Sequence, residues 1–371
     1  MRVLITGGGT AGHVNPAIAM AEIIEKKLPG SEVAFVGRPS GIEHELFGAT
    51  GHKMYSLKAG GFNRSLSPKN LVSLYRMVAS TQKAKKLIRE FKPDVVIGTG
   101  GYVCYPLCKA ATKLGIPSLL HESNAIPGLA VRMLSRDVSL VLLNFKETGE
   151  KLSEGVNYRA VGNPTRSGFS TLDRALARRA LGIGDEERLI VSFGGSLGAT
   201  KVNDACAEVM RELSLTNKNY RHIHATGKRE YETYSPFRSQ MSLLSSGRCT
   251  VLQYINNMPE LLAAADLVIA RSGAMTLTEL AASGCPAILI PSPNVTDNHQ
   301  YKNAKVLADA GAAVLIQEEE LVNGYLVKRA GELLSDAAAR KALSQKISAF
   351  ANKNANDLIF DAIYEVAGAK K

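Results

Sequence analysis

The stretch Arg2–Pro16, RVLITGGGTAGHVNP, decides the fold of the first part of the chain. Val3–Ile5 is a short apolar run, which is typical of a β-strand that is buried on both faces. Glycines between positions 7 and 12 follow it, and glycine lets backbone N–H groups approach a ligand closely. Ala17–Ile24 then places apolar residues at helical spacing. This order predicts the opening of an α/β unit, whose helix start suits a phosphate or a developing oxyanion.

His13 lies where this first helix is predicted to begin. The positive end of a helix dipole disfavours protonation of an imidazole there, so a neutral His13 is a candidate general base. The alternative is a structural turn that binds nothing, in which His13 only hydrogen-bonds the turn. A third reading lets His13 bond a phosphate without taking part in the chemistry.

The composition sets the class of protein. The chain has 371 residues, of which 45% are hydrophobic and 21% are charged, and this length is enough for two globular domains. No run of 18 apolar residues occurs, so no membrane-spanning helix is expected, and the immediate first strand predicts that there is no signal peptide. The five cysteines lie far apart without a C-x-x-C motif, which predicts reduced thiols and a cytoplasmic protein.

The positive charge of the chain is uneven. The net charge is +11, and residues 1–163 hold 21 lysines and arginines against 12 acidic residues. Residues 164–371 hold 24 against 22. The first half is therefore expected to meet an anionic partner, either membrane lipid or a phosphorylated substrate. The sequence lacks a basic patch interleaved with aromatic residues, so nucleic acid is not expected.

The strand and glycine-turn pattern occurs a second time. Pro164 and the polar segment 167–172 mark a domain boundary, and Leu189–Phe193 then begins a new strand, turn and helix. The other predicted strands are Glu32–Gly37, Val95–Ile97, Ser118–Leu120, Leu140–Leu143, Tyr158–Val161, His222–Ala225, Thr250–Leu252, Leu267–Ala270, Ala287–Pro291 and Val314–Ile316. The sequence predicts two α/β domains, residues 1–163 and 164–349. The last helical stretch is Ala337–Ala367, and the C-terminal helix at about 350–371 is expected to pack back on the first domain.

A nicotinamide-dependent oxidoreductase is the first rival interpretation. Gly7, Gly9 and Gly12 match the dinucleotide fingerprint, which also requires an acidic residue at the end of the second strand. Gly37 and Arg38 stand there instead, so NAD is disfavoured, whereas NADP remains possible. The motifs of P-loop nucleotidases, zinc proteases and serine hydrolases are absent from the sequence, as is the Asp-x-Asp pattern of metal-dependent sugar transfer.

Polar residues at helix and strand ends are the remaining candidates. Glu122 and Asn124 follow a predicted strand, at the edge where α/β sheets bind ligands. Glu279 lies in the first turns of a predicted helix, where it can accept hydrogen bonds from a ribose diol. Gln300 can both donate to and accept from sugar hydroxyls. Structural hydrogen bonds and helix caps are the alternative for each of them.

Six ordered motifs carry a family resemblance. They are GGGTAGHVNPA, GTGGYV, HESNAIPGLA, VGNPTR, FGGSLGA and RSGAMTLTEL. With them the chain resembles the MurG family, the N-acetylglucosaminyl transferases of bacterial cell-wall synthesis. Some members read GGTGGH, HEQN and GGSQGA, where this chain has Ala11, Ser123 and Leu197.

The resemblance implies the GT-B architecture of two Rossmann-like domains. The first would face the acceptor and the membrane, and the second would bind the UDP-sugar donor. The implied reaction is inverting, metal-independent and cofactor-free transfer of N-acetylglucosamine from UDP-N-acetylglucosamine to the muramoyl 4-hydroxyl of lipid I, an undecaprenyl-linked acceptor. Its product is lipid II, for peptidoglycan synthesis, cell shape and cell division. A peripheral protein on the cytoplasmic face of the bacterial membrane is implied.

His13, from its place at the helix start, is the expected general base, and Glu122 is the alternative base. The resemblance carries further roles onto residues. The donor pocket would be lined by Thr10, Ala11 and Gly12 and by Ala274, Met275, Thr276, Leu277 and Thr278. The sugar would be reached by Asn124 and Gln300, and the diphosphate would be faced by Arg166 and Ser196. Ile255 would meet uracil through its backbone, and Glu279 would hold the ribose. Arg166 and Ile255 rest on the resemblance alone.

The region Pro68–Lys92 is a candidate membrane-facing surface. It is predicted to be helical, with apolar residues beside basic ones: Leu71, Leu74, Met77, Lys69, Arg76 and Lys83. The alternative is a crossover helix that packs its apolar residues on the sheet and exposes its charges to water.

Overall fold

A computed structural model describes residues 1–57, 69–165, 169, 172–195, 197–228, 230–231 and 247–368, with the side chains of 69–76 and of Thr296 outside the description. The chain divides into two compact units. The first unit comprises Met1–Thr165 and Asn352–Lys371, and the second comprises Arg166–Ala351.

The described residues of the first unit form a parallel sheet of seven strands. They are β1 Arg2–Thr6, β2 Glu32–Gly37, β3 Lys53–Ser56, β4 Val95–Gly98, β5 Ser118–Glu122, β6 Leu140–Leu143 and β7 Tyr158–Ala160. Their spatial order is β3-β2-β1-β4-β5-β6-β7. The order reverses between β1 and β4, where Val3 pairs with Val95 and Thr6 with Gly98. Both strands therefore end at the same level, which brings the turns that follow them together.

Helices cover both faces of this sheet. They are α1 Ala11–Lys27, α2 Ile42–Gly48, α3 Lys69–Phe91, α4 Cys104–Lys113 and α5 Leu129–Leu134, together with a final helix, Ala355–Gly368. The final helix buries Ile359 and Ile363 completely in the same apolar cluster as Val14 of α1. Burial of each such side chain is worth about 2 kcal/mol, so the end of the chain stabilises the first unit.

The second unit repeats this topology. Its strands are β8 Arg188–Phe193, β9 Tyr220–Ala225, β10 Cys249–Leu252, β11 Leu267–Ala270, β12 Ala287–Leu289 and β13 Val314–Leu315, all parallel. Their order, β10-β9-β8-β11-β12-β13, reverses between β8 and β11. The helices are α6 Arg174–Ala180, α7 Thr200–Val209, α8 Met258–Ala264, α9 Ala274–Ser283, α10 His299–Asp309, α11 Tyr325–Ser335 and α12 Ala337–Ser348. Two doubly wound parallel sheets confirm the predicted α/β fold class.

Three local features differ from the sequence-based expectations. Strand β3 was not predicted, because it is a short edge strand without a fully buried residue. The helical stretch Ala337–Ala367 is two helices, since the Asn352 side chain bonds the backbone of Val161 and Asn354 between them. On α3, Met77 is buried against the unit rather than exposed, whereas Val78 is 56% exposed.

Within the described ranges, no helix has both the length and the apolar character needed to cross a bilayer.

Candidate functional site

In the first unit, the turns that follow β1 and β4 touch each other. Gly8 N–H donates to the carbonyl of Gly100 at 3.4 Å. Gly101 has φ +77°, and a Cβ on it would lie 2.0 Å from the carbonyl oxygen of Gly8. Only glycine fits this crossing, which explains why both turns are glycine-rich. The switch point of the sheet is thus closed by two interlocked backbone turns.

His13 packs against this crossing from the first turn of α1. Its Nδ1 lies 3.1 Å from the carbonyl oxygen of Gly8 and 3.2 Å from the hydroxyl of Thr10. Because a carbonyl can only accept, we assign the proton of the neutral ring to Nδ1 and the lone pair to Nε2. Gly100 supports the ring, since a Cβ there would lie 2.6 Å from Cδ2. The geometry holds a partly exposed imidazole with Nε2 as its basic atom.

The other predicted donor-pocket residues of this turn surround His13. Thr10 has an extended backbone at the N-cap of α1, and its side chain turns to His13 rather than capping the helix. Thr10 and Gly12 are exposed, and Ala11 is partly exposed. The structure therefore brings the candidate residues Thr10 to His13 together on one helical turn, facing solvent.

A buried carboxylate beneath this turn escaped the sequence analysis. Glu43 of α2 is 0% exposed, and its Oε2 accepts the N–H of Gly9 at 3.3 Å. Arg38 pairs with both oxygens, and its guanidinium carbon lies 5.5 Å from the centre of the Tyr102 ring. Burial acts to raise the pKa of Glu43, but hydrogen bonds from Arg38 and Gly9 outweigh it and lower that pKa. Arg38 is the residue that kept NADP binding possible in the sequence analysis, and its guanidinium already pairs with Glu43.

Glu122 and Asn124 form a second cluster at the end of β5. Glu122 Oε1 accepts from the backbone and the side chain of Asn124 at 2.9 and 3.0 Å, and Oε2 accepts from Gly128 N–H at 2.7 Å. None of the hydrogen bonds of Glu122 to the described residues reaches His13. Burial raises the pKa of Glu122, against these hydrogen bonds, which act to lower it. The carboxylate closes the loop 123–128 around itself.

His121, beside this cluster, is a structural residue. It is fully buried and its Nε2 lies 3.0 Å from the carbonyl oxygen of Gly162. Burial lowers the pKa of His121 to about 4, so the ring is neutral near pH 7.

The second unit has a similar crossing, which lies on the β9 side of β8 and not at the switch point between β8 and β11. A Cβ on Gly198 would lie 2.3 Å from the carbonyl oxygen of Thr226, and a Cβ on Gly227 would lie 2.1 Å from Gly198 N. Both glycines have φ +88°. Here the turn after β8 crosses the turn after β9. The predicted diphosphate residues Ser196 and Arg166 lie outside the described residues, and Leu197 between the glycines is 62% exposed.

A buried chain of hydrogen-bonded side chains lies below this second crossing. It was not predicted from the sequence. Ser192 Oγ is 2.6 Å from His222 Nε2 and 2.6 Å from His224 Nδ1. His224 Nε2 is 3.0 Å from Oδ1 of Asn203, whose amide donates to Glu230 at 2.8 Å. Burial lowers the pKa of His224 to about 3 and that of His222 well below its usual range. Both rings are therefore neutral near pH 7.

The predicted ribose and pocket residues lie on α9. Gly273 precedes the helix with an extended backbone and without a side-chain cap. Met275, Thr276, Thr278 and Glu279 are partly exposed. Ala274 and Leu277 are 5% and 3% exposed, so their side chains belong to the core and only their backbone can meet a ligand.

Gln300 is held next to the start of α9. Ser272 Oγ donates to the carbonyl oxygen of Gln300 at 2.9 Å, and Gln300 Oε1 accepts from Ser292 N–H at 2.9 Å. Its Nε2 makes no hydrogen bond to the described part of the chain and is the group that can donate to a sugar. Asp297 and Asn298, just before Gln300, both have positive φ, of 58° and 50°. Ile255 is 4% exposed, which leaves its backbone as the means of contact.

Across the described ranges, no three His, Cys, Asp or Glu side chains come together in a way that could hold a metal ion.

Comparison with known proteins places the chain in a family. The glycosyltransferase family 28 N-terminal domain matches residues 3–142, and the family 28 C-terminal domain matches residues 189–359. A protein of Acetivibrio thermocellus is 38% identical over 99% of this chain and 98% of its own length. A protein of Desulforudis audaxviator is 40% identical over 99% of each chain. Both are named UDP-N-acetylglucosamine–N-acetylmuramyl-(pentapeptide) pyrophosphoryl-undecaprenol N-acetylglucosamine transferase.

The chain belongs to the MurG family.

A solved MurG structure gives the same answer. The crystal structure of MurG from Acinetobacter baumannii superposes with a TM-score of 0.76 and 28% identity, covering 98% of this chain and 99% of that one. The predicted GT-B architecture is confirmed by this similarity and by the two family 28 domains. The interlocked glycine turns described above are thus the backbone form of the MurG motifs GGGTAGH, GTGGYV and FGGSLGA.

Proposed function

We propose that this protein transfers N-acetylglucosamine from UDP-N-acetylglucosamine to lipid I, the undecaprenyl-pyrophosphoryl-linked N-acetylmuramyl pentapeptide, and so forms lipid II. The observation that carries the proposal is the near full-length identity to transferases of that name. Two sheets with glycine-lined switch points support it, because the reaction needs one site for a diphosphate and another for an acceptor hydroxyl.

His13 is the proposed general base. Its Nε2 removes the proton of the muramoyl 4-hydroxyl, and that oxygen forms a bond to the anomeric carbon of the donor sugar. The bond from this carbon to the β-phosphate breaks on the opposite face, so UDP leaves and the configuration inverts. The Nδ1 contact to Gly8 supports this role, because it keeps the lone pair on Nε2. Such base catalysis contributes about 10²–10⁴-fold.

The second unit is the proposed donor site. Arg166, Ser196 and the N–H groups at the starts of α7 and α9 would offset the charge of the departing diphosphate without a metal ion or cofactor. Glu279 would accept hydrogen bonds from the ribose, and the Nε2 group of Gln300 would donate to the sugar.

Glu122 is the weaker candidate for the base. Both of its oxygens already accept hydrogen bonds from the loop 123–128. We assign it the positioning of Asn124, whose side-chain oxygen can accept from a sugar hydroxyl.

Ligand-dependent stability separates this function from the NADP-dependent alternative. A ligand at 100 times its dissociation constant adds about 2.7 kcal/mol to the stability of the site that binds it. UDP and UDP-N-acetylglucosamine should raise the thermal midpoint, and NADP should leave it unchanged. Stabilisation by NADP alone contradicts the proposal, and UDP binding without turnover of a lipid I analogue indicates a non-catalytic sugar-nucleotide module.

The role of His13 has its own test. His13→Ala should lower kcat by 10²-fold or more while the affinity for UDP stays nearly unchanged, since the lost interaction belongs to the transition state. His44→Ala, an exposed histidine of the same unit, is the matched control. A kcat of His13→Ala close to that of the control rejects His13 as the base.

We further propose that the first unit docks on an anionic membrane surface, where its acceptor resides. Basic residues near such a surface contribute about 1 kcal/mol each. Helix α5 exposes Leu129 and Met133 at 48% and 45%, beside the exposed Arg132 and Arg136. Helices α3 and α5 both pack against α4, so α3, which covers Lys69–Phe91 of the candidate region, lies on the same layer. Pro68 lies outside the described residues. The side chains of its residues 69–76 lie outside the description, and Lys83 is exposed.

Charge reversal tests this docking. The triple variant Lys69→Glu, Arg76→Glu and Lys83→Glu should lose salt-sensitive binding to anionic liposomes, yet keep normal activity on a short-chain soluble acceptor. Arg132→Glu with Arg136→Glu should show the same separation. Unchanged liposome binding in both variants places the membrane surface elsewhere.

A further inference from the structure

Glu43 and His13 lie at opposite ends of one peptide unit. The N–H of Gly9 donates to Glu43 Oε2 at 3.3 Å, and the carbonyl oxygen of Gly8 lies 3.1 Å from His13 Nδ1. These two groups belong to the same peptide plane, the one that joins Gly8 to Gly9. The peptide bond is trans, so its N–H and C=O point in opposite directions. Whatever fixes the N–H end therefore also aims the C=O end.

We infer that Glu43 is a positioning residue for His13 and acts through the Gly8–Gly9 peptide. The inference rests on the proposed role of His13 as the base. In this arrangement the carboxylate orients the peptide, the peptide carbonyl accepts the Nδ1 proton, and Nε2 keeps its lone pair for the acceptor hydroxyl. Glu43 itself touches neither substrate nor His13.

The surroundings of Glu43 suit this task. The side chain is 0% exposed, so its negative charge acts in a medium of low dielectric, where hydrogen bonds are stronger than in water. A Cβ on Gly8 would lie 3.0 Å from the carboxyl carbon of Glu43, so the peptide rests directly on the carboxylate. An anion bound to the N–H of a peptide polarises its carbonyl, which becomes a better acceptor for the imidazole.

Arg38 keeps the carboxylate ionised and in place. It donates to both oxygens of Glu43, and these hydrogen bonds help lower the pKa of Glu43. Its guanidinium also lies over Tyr102, which follows the second glycine turn. The ring of Tyr102 in turn would lie 3.5 Å from a Cβ on Gly9. Arg38, Glu43 and Tyr102 thus enclose the peptide that faces His13.

Imidazole ¹⁵N chemical shifts, which distinguish the two neutral tautomers, test the inference without any assay of activity. His13 is assigned by comparison with His13→Ala. In the unaltered protein His13 should carry its proton on Nδ1. In Glu43→Gln, whose neutral amide cannot support the peptide in the same way, a substantial fraction should move to Nε2. An unchanged tautomer in folded Glu43→Gln overturns the inference.

Kinetics and matched variants complete the test. Glu43→Gln should lower kcat about tenfold with an unchanged KM for UDP-N-acetylglucosamine. Arg38→Lys keeps a cation beside an intact carboxylate and should retain the Nδ1 tautomer, which guards against the case in which Glu43→Gln fails to fold. A mixed tautomer in Arg38→Lys with Glu43 intact counts against the inference. Glu45→Gln, an exposed glutamate on the same helix, is the control and should change neither readout.

Failure of this inference and failure of the proposed function give different results. If His13 is not the base, His13→Ala keeps its kcat, whereas the tautomer of His13 still responds to Glu43→Gln. If Glu43 does not position His13, the tautomer stays the same in Glu43→Gln, whatever the kcat of His13→Ala.

Discussion

The two units share the order of their first six strands and a tight crossing of two turns, but they differ in the buried polar groups below that crossing. In each unit the glycine-rich turn after the first strand crosses a neighbouring turn, after β4 in the first unit and after β9 in the second, so tightly that a Cβ would overlap the backbone opposite. Below the first crossing lies an ion pair, Arg38 with Glu43. Below the second lies a chain of neutral groups through Ser192, His224 and Asn203, which ends on Glu230.

This difference shows that the backbone crossing and its polar support are separate problems. The crossing is a matter of sterics and requires glycine in both units. The support only has to satisfy buried hydrogen-bonding groups, and either an ion pair or a neutral chain can do so. The two supports respond differently to protons, because one needs an ionised carboxylate and the other needs uncharged imidazoles.

The largest expected loss of stability comes from substituting a glycine at the turn crossing that both units share. Gly101→Ala and Gly227→Ala should each destabilise their unit by about 3 kcal/mol or more, since each adds a backbone overlap to an unfavourable positive φ. Urea unfolding measures both. Gly115→Ala has a similar φ of +68° but nothing within 4 Å, so it should lose only about 1 kcal/mol. Equal losses in all three variants would mean that the crossing itself contributes nothing.

A fall in pH should destabilise the two units by different amounts, and this difference should be smaller than the effect of the glycine substitutions. The folded pKa of His224 is about 3, below its ordinary value of 6.5, so the unfolded chain binds the proton first. Stability from neutral His224 is complete above pH 6.5 and is lost as the pH falls toward 3, by about 2 kcal/mol at pH 5. Glu43 has a lowered pKa, so its contribution is lost only below its ordinary value of 4.5.

Hydrogen exchange at pH 7 and pH 5 measures this contrast, after correction for the intrinsic exchange rates. Strands β8 and β9 should lose more protection than β1 and β2, since among the described residues the first unit has one buried histidine of lowered pKa, His121, and the second has two. His224→Gln should flatten the pH dependence of the second unit. Equal losses in both units would show that the neutral chain does not titrate as described.

The smallest expected effect tests the separate roles of the two units, donor binding in the second and base catalysis in the first. Glu279→Gln should raise the KM for UDP-N-acetylglucosamine about tenfold with little change in kcat, because a hydrogen bond to a charged group is worth about 1.5 kcal/mol or more. Initial rates at saturating acceptor measure this. His13→Ala is the opposite case, with a changed kcat and an unchanged donor affinity. A fall in kcat for Glu279→Gln would contradict a purely donor-binding role.

The sequence predicted those helices and strands that have a strong local pattern of apolar residues and glycine. The first strand of each unit, the glycine turn after it and the helix that follows were predicted from a short apolar run beside glycine. Short, mostly apolar runs predicted twelve of the thirteen strands in the described residues. The candidate residues form two separate groups, Thr10 to His13 and Glu122 with Asn124. The members of each group lie together because they are neighbours in sequence. Local signals therefore select these candidate residues, and their roles stay predictions.

The supports of the two sites could not be predicted from local signals. Glu43 lies between Ile42 and His44 on a short helix, and a glutamate in a sequence is usually exposed. Only the pairing of β1 with β2 brings Arg38 and Glu43 beneath the turn at Gly9. Ser192, His222 and His224 interrupt apolar strands in a way that resembles ordinary alternation, and their contact needs the β8–β9 register.

The final helix, Ala355–Gly368, has a consequence for how the protein is synthesised. It completes the apolar core of the first unit, yet nearly 190 residues separate it from Thr165, where the rest of that unit ends. While the ribosome translates the second unit, the emerging first unit displays the apolar face of Val14 and its neighbours to water. This nascent intermediate is the species most exposed to aggregation, and the second unit can finish folding before the first does.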